Sequence, residues 1–370
     1  MKVMTILGTR PEIIRLARVM ARLDATPGVE HIIVHTGQNY DYELNQVFFD
    51  DLAVRKPDHF LECDTSSIGH VYGDILIKSE QVLLEEKPDA VLILGDTNSA
   101  IAAIIARRMH IAVFHMEAGN RSFDWRVPEE TNRRIVDHIS DVNLVYTEHA
   151  RANLMREGLH PQRVYLTGSP MFEVLEHYRP QIEASDVLER EGLTAGKFVI
   201  VSLHREENVD DAERLGLLLE GLGRLSEERD LDVLVSTHPR TRKRLEEFGL
   251  LERGGERVTF SKPFGFHDYN KLQMTAACAI SDSGTISEES SMLGFPAVTP
   301  RDWIERPEAL DTGSIIMTGL EPEVVLRGVE YAIDFGAPKG IPAEYQIANC
   351  SDRVVRIIIG RSRALRETQR

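Results

Sequence analysis

At 370 residues the chain is too long for one ordinary hydrophobic core and predicts two domains of common size. Its composition, 42% hydrophobic and 28% charged with a formal charge of −16, is that of an ordinary soluble enzyme. That balance excludes a general nucleic-acid surface and leaves room for a local basic pocket that takes a phosphate ester. Cys63, Cys278 and Cys350 follow no paired or metal-like spacing, which predicts free thiols in a reducing compartment. No basic leader with a long apolar run opens the sequence and no stretch has the length of a membrane span, so the expected location is cytoplasmic, with no membrane partner.

Along the chain, short apolar runs alternate with helical segments, the pattern of strands buried on both faces of a parallel sheet. In the first half they fall at 3–7, 31–35, 90–94, 111–115, 142–146 and 163–166. After the first run Ile13, Ile14, Ala17, Met20 and Leu23 return at helical spacing. A second series falls at 198–203, 233–236, 258–260, 277–281, 297–299 and 314–317. Gly168, Pro170 and Pro180 punctuate the stretch between the series and place the hinge near residue 168, giving domains 1–168 and 169–351. The helical segment from about 352 to 370 is expected to cross back to the first domain. The fold class is therefore α/β, two Rossmann-like domains with a cleft between them, where strand carboxyl ends meet helix amino ends.

The candidate chemistry begins at residues 6–12, where an apolar strand stops at Gly8 and a helix opens at Pro11. Free amides in that turn, together with Arg10, suit a diphosphate, although the glycine-rich dinucleotide fingerprint is absent. Asp96 follows a buried strand, where it serves either as a helix cap or as a cleft acid. Glu117 ends a neighbouring strand. Glu129 opens a helix with Arg133 four residues on, which is either a surface pair worth about 0.2–0.5 kcal/mol or a third acid beside a phosphate-binding arginine. In the second half His204 and Arg205 end a strand. Ser283 and Gly284 suit a phosphate at a helix start, with Glu289 one turn later to accept the hydroxyls of a ribose. There is no zinc-protease helix motif, cysteine cluster or Walker loop, so the chemistry is expected to need neither metal nor redox cofactor.

Together these segments resemble the non-hydrolysing UDP-N-acetylglucosamine 2-epimerase family along nearly the whole chain. Its landmarks stand in order: Gly-Thr-Arg-Pro-Glu from 8, Gly-Asp-Thr from 95, Glu-Ala-Gly from 117, Pro-Glu-Glu-x-Asn-Arg from 128, His-Arg-x-Glu-Asn from 204, Asp-Ser-Gly from 282 and Glu-Arg-Pro-Glu from 305. The resemblance implies a glycosyltransferase-B-like fold, usually a homodimer, and inversion at carbon 2 of a UDP-linked N-acetyl sugar through loss and return of UDP. It implies acid, base or transition-state roles for Asp96, Glu117, Glu129 and His204, with Arg133 in support, and leaves open which acid moves which proton. Arg10, Ser283 and Gly284 would stabilise the departing diphosphate and Glu289 would hold the ribose.

Two departures from the family pattern bear on the substrate. Arg15 stands where members acting on UDP-N-acetylglucosamine commonly carry Lys, and the stretch Asn-Arg-Ser-Phe-Asp-Trp-Arg-Val from 120 is shorter than usual. With the segment 36–45, these are similar to the branch that converts UDP-2-acetamido-2,6-dideoxy-L-talose to UDP-N-acetyl-L-fucosamine for surface polysaccharides. They also argue against an allosteric nucleotide-sugar site near Gln38. The rival expectations are a glycosyltransferase of the same fold, a hydrolysing epimerase and a catalytically silent nucleotide-sugar sensor.

Overall fold

The computed structural model describes residues 1–37, 51–125, 127–337 and 340–369. Gln38, most of the 36–45 segment and Arg126 lie outside them. The chain divides into two compact units, Met1–His177 with Ala343–Arg370, and Tyr178–Pro342. The division falls later than residue 168 because Pro170 opens a helix, Pro170–Ala184, and Pro180 lies inside it.

Among the described residues the first unit is built on seven strands: β1 (Lys2–Leu7), β2 (Glu30–His35), β3 (His59–Phe60), β4 (Ala90–Leu94), β5 (Ala112–Met116), β6 (Val142–Val145) and β7 (Val164–Leu166). Their order is β3-β2-β1-β4-β5-β6-β7 and every pairing is parallel. β4 and β5 are buried at every position, which is why they read as unbroken apolar runs. The helix Arg10–Asp24 turns Ile13, Leu16, Ala17, Met20 and Leu23 inward. The helix Cys350–Gln369 packs on it, tied by an Arg22–Asp352 pair at 2.6 Å, and its Ser351 amide donates at 2.8 Å to Glu173 of the helix Pro170–Ala184.

The second unit repeats the plan with β8 (Phe198–Ser202), β9 (Asp232–Ser236), β10 (Val258–Ser261), β11 (Cys278–Ser281), β12 (Ala297–Thr299) and β13 (Ile316–Met317). The order β10-β9-β8-β11-β12-β13 is again all parallel. Leu215, Leu218, Leu219, Leu222 and Leu225 of helix Ala212–Arg229 close one face of this sheet. Each such buried side chain contributes about 1.5–3 kcal/mol relative to exposure. In both sheets the strand order reverses beside the first strand of the unit, between β1 and β4 and between β8 and β11. Ligands of doubly wound sheets bind outside the strand carboxyl ends at such a reversal.

Among the described residues no helix is long and apolar enough to cross a membrane, and no cluster of His, Cys, Asp and Glu is arranged to hold a metal. Cys63, Cys278 and Cys350 are buried free thiols.

Candidate active site

At the end of β1 the chain turns so tightly that a Cβ on Gly8 would come within 2.1 Å of Thr36 Oγ1, so only glycine fits. The Gly8 amide is not free for a phosphate. It donates to the buried carboxylate of Glu12 at 3.0 Å, as do the hydroxyls of Thr9 at 2.8 Å and Ser99 at 2.5 Å. Burial pushes the Glu12 carboxyl up to about 7 against those donors. Arg10 is the first residue of its helix and half-buried.

Arg15, one turn into that helix, is fully buried and places its guanidinium 2.7 Å from Glu117 and over the ring of Tyr146. Glu117 follows β5 in the left-handed region, with φ of 63°. For a residue with a side chain this costs on the order of 1–3 kcal/mol and persists where the surroundings over-determine it. Asp96 follows the neighbouring strand β4. Instead of capping the turn after it, its side chain accepts from Arg133 Nε at 2.9 Å and Nη2 at 2.5 Å, and its carbonyl accepts from Asn132 at 2.9 Å. Two carboxylates at adjacent strand ends are thus each gripped by a buried arginine.

The helix Pro128–Ile139 supplies Arg133, whose partner within the helix is Glu130 at 2.9 Å. Glu130 is buried and also accepts from Arg134 and from the amide and hydroxyl of Ser122, which pins the 120–125 loop. Glu129 is exposed in the first turn of the same helix. Beneath the loop, buried Asp137 meets Arg121 at 2.7 Å and His115 at 2.9 Å. Burial alone would raise the Asp137 carboxyl, but His115 and Arg121 hold it below the usual carboxylate range. On the loop itself Phe123 and Trp125 are 67% and 69% exposed, and Arg134 lies over the Trp125 ring at 4.9 Å.

In the second unit the end of β8 brings His204 and Arg205 beside Asp282 at the end of β11. Asp282 is fully buried. Its carboxylate lies 2.8 Å from His204 Nδ1 and accepts from the amides of His204 and Arg205 and from the side chain of Asn208. Burial would raise Asp282, yet the charge and hydrogen bond of His204 and these amides bring it below its ordinary value. The Ser283 amide donates to Ser281 Oγ at 3.1 Å, so it too is engaged within the protein, and the Ser283 hydroxyl accepts from the Thr285 amide at 3.3 Å. The Arg306 guanidinium caps the Gly284 carbonyl and lies 3.3 Å from buried Glu288. Glu289 is buried and accepts from Gln273 at 2.9 Å.

The first unit therefore gathers Arg15 with Glu117 and Arg133 with Asp96. The second gathers His204 and Arg205 with Asp282, close in sequence to Ser283, Gly284 and Glu289. Sequence reasoning gave no individual role to Glu12, Glu130, Asp137 or Asp282, although all but Asp137 stand inside the quoted landmark segments. The helical spacing of Glu130, Arg133 and Asp137 was a usable signal, since it sets them on one face.

A family model described as UDP-N-acetylglucosamine 2-epimerase matches residues 21–359. A UDP-N-acetylglucosamine 2-epimerase of Methanocaldococcus jannaschii is 35% identical over 97% of this chain and 99% of its own. A UDP-2,3-diacetamido-2,3-dideoxy-D-glucuronate 2-epimerase of Pseudomonas aeruginosa is 33% identical over 90% of this chain and 92% of its own. Among solved structures, the UDP-N-acetylglucosamine 2-epimerase of Rickettsia bellii is 45% identical with a TM-score of 0.90, covering 100% of this chain and 98% of that one. The Methanocaldococcus jannaschii enzyme in complex with UDP-GlcNAc and UDP also superposes with a TM-score of 0.90, at 35% identity over 97% and 100% of the two chains. A glycosyltransferase from Rickettsia africae, 10% identical with a TM-score of 0.55 over 100% and 98%, shares the fold.

Proposed function

The chain belongs to the UDP-N-acetylglucosamine 2-epimerase family and is an enzyme of the UDP-sugar 2-epimerase type; from that premise we propose that it inverts carbon 2 of a UDP-linked N-acetylhexosamine by eliminating UDP and adding it back. In the forward step the carbon-2 proton passes to a carboxylate and its electron pair forms the C1–C2 double bond. The C1–O pair leaves on the β-phosphate of UDP, and the product between steps is a 2-acetamidoglycal. Return of the UDP oxygen to carbon 1 and of a proton to the opposite face of carbon 2 completes the inversion. The observation that carries this reading is the pair of arginine-gripped carboxylates, Asp96 and Glu117, at neighbouring strand ends. Such groups suit proton exchange at carbon because their positions are fixed before substrate arrives.

In this reading Glu129 is the third acid, with Arg133 in support. His204 acts on the leaving group or intermediate, Arg10, Arg205, Gly284 and the hydroxyl of Ser283 take the diphosphate, and Glu289 takes the ribose. A homodimer belongs to the same proposal and is checked by sedimentation. Epimerisation in deuterated water tests the chemistry: product must carry solvent deuterium at carbon 2, and inversion with full retention of the original hydrogen rejects elimination and re-addition.

For the sugar, we infer UDP-2-acetamido-2,6-dideoxy-L-talose, giving UDP-N-acetyl-L-fucosamine. Support comes from Arg15 in the place of Lys and from the short loop whose Phe123 and Trp125 are exposed, free to meet a sugar methyl group. Interconversion of UDP-N-acetylglucosamine and UDP-N-acetylmannosamine is the second reading, favoured by the substrate named for the Rickettsia bellii and Methanocaldococcus jannaschii relatives. The ratio of kcat/KM for the two UDP-sugars decides. A preference for UDP-N-acetylglucosamine ends the L-sugar assignment and keeps the epimerase.

A further inference from the structure

We propose that Asp282 is the positioning residue for His204: it holds the imidazole with its proton on Nδ1 and so leaves Nε2 as the nitrogen that meets the substrate. This rests on the reading of His204 as a group that acts on the UDP-sugar. The parallel register pairs Ser281 with Ser202, so the residues after each strand lie side by side. Asp282 then meets His204 at the reversal of strand order. Its two oxygens take four donors: the His204 amide at 3.0 Å, the Arg205 amide at 2.9 Å, Asn208 Nδ2 at 2.9 Å and the ring, with Nδ1 at 2.8 Å. Arg205 Nε adds a bond to the Asp282 carbonyl at 2.9 Å.

An ionised carboxylate only accepts hydrogen bonds, so the ring nitrogen facing it must carry the proton. A carboxylate shut off from water is tolerated only when donors surround it, which makes the arrangement all-or-none. Pinning the 203–208 turn needs only the amides and Asn208; the ring contact is additional. The His204 side chain is 40% exposed, so its other edge is open, and the His238 ring packs against it at 5.7 Å between centroids. Buried hydrogen bonding on one ring nitrogen thereby sets which nitrogen works, as in histidines oriented by a second group.

NMR of the full chain labelled with heavy nitrogen in histidine, with His204→Asn to assign the signal, reads the tautomer directly. The expected result is a wild-type ring protonated on Nδ1 and a mixed or inverted population in Asp282→Asn. That variant should lose about 10²-fold or more in kcat, with the dissociation constant of UDP alone changed by less than about threefold. Placed in the His204→Asn background, the same change should add less than about threefold, because both remove one function. Asn208→Ala removes a donor without touching the ring contact and should keep the Nδ1 proton even where Asp282→Asn fails to fold. A wild-type ring protonated on Nε2, or losses that multiply in the double variant, overturns the proposal. Normal turnover in His204→Asn instead discards the role given to His204, while the tautomer still decides what Asp282 does.

Discussion

The two sheets share one strand order but neutralise their strand-end carboxylates differently. In the first unit guanidinium groups do it: Arg15 for Glu117 and Arg133 for Asp96. In the second, Asp282 is met by an imidazole and by amides. An arginine does not release its proton in a protein, so the first arrangement fixes charge and position. An imidazole carries two distinct ring nitrogens, one a donor and one an acceptor when neutral, so the second arrangement holds a group with both kinds of hydrogen-bonding site. One backbone plan thus carries two kinds of electrostatics, set by which cation faces the carboxylate.

The sharpest way to break this contrast is to neutralise the acids of the first unit. Asp96→Asn, Glu117→Gln and Glu129→Gln should each lower turnover by about 10²–10⁴-fold while calorimetry finds UDP binding nearly unchanged. Normal turnover in all three removes the acids from the chemistry. The next effect is on stability. Arg15→Ala leaves Glu117 without its buried partner and should cost roughly 3–5 kcal/mol in denaturant unfolding, with Arg15→Lys recovering part of it. An unchanged midpoint would mean that the pair contributes nothing.

Glu12 gives a pH signature. Its carboxyl rises from 4.5 to about 7 on folding, so its contribution is fully present below about pH 4.5 and is lost as pH climbs through 7. The wild-type chain should lose stability relative to Glu12→Gln across that window, by on the order of 3 kcal/mol. A pH-independent difference between the two unfolding curves contradicts it. The smallest effect is expected at Arg10, where Arg10→Ala should weaken UDP by about 1.5–3 kcal/mol as a lost charge-assisted contact. An unchanged dissociation constant returns Arg10 to a purely structural place.

Both sheets were legible because parallel strands buried on two faces leave unbroken apolar runs, whereas the two-residue β3 offers no run to read. Pro180 reads as a break yet sits inside a helix, since its neighbours keep the helical core face. The place of Glu130 was open to the helical period, which sets it on one face with Arg133 and Asp137. Asp282 was not legible in the same way. Its partners lie 74–78 residues away, and only the register of β8 with β11 brings them together. The fates of the Gly8 and Ser283 amides were hidden for a local reason, because a nearby carboxylate or hydroxyl competes for the donors that a phosphate would use.

The contact of Trp125 with Arg134 makes the chain its own optical instrument. The sequence holds only 2 tryptophans, one in each unit, and Trp125 and Trp303 are both more than half exposed. A cation poised over an indole face shifts and quenches its emission, so the fluorescence of a Trp303→Phe chain reports on the loop beside the acids alone. The reciprocal Trp125→Phe chain reports on the other unit, and the two together let light follow each half of the enzyme separately through titration or melting.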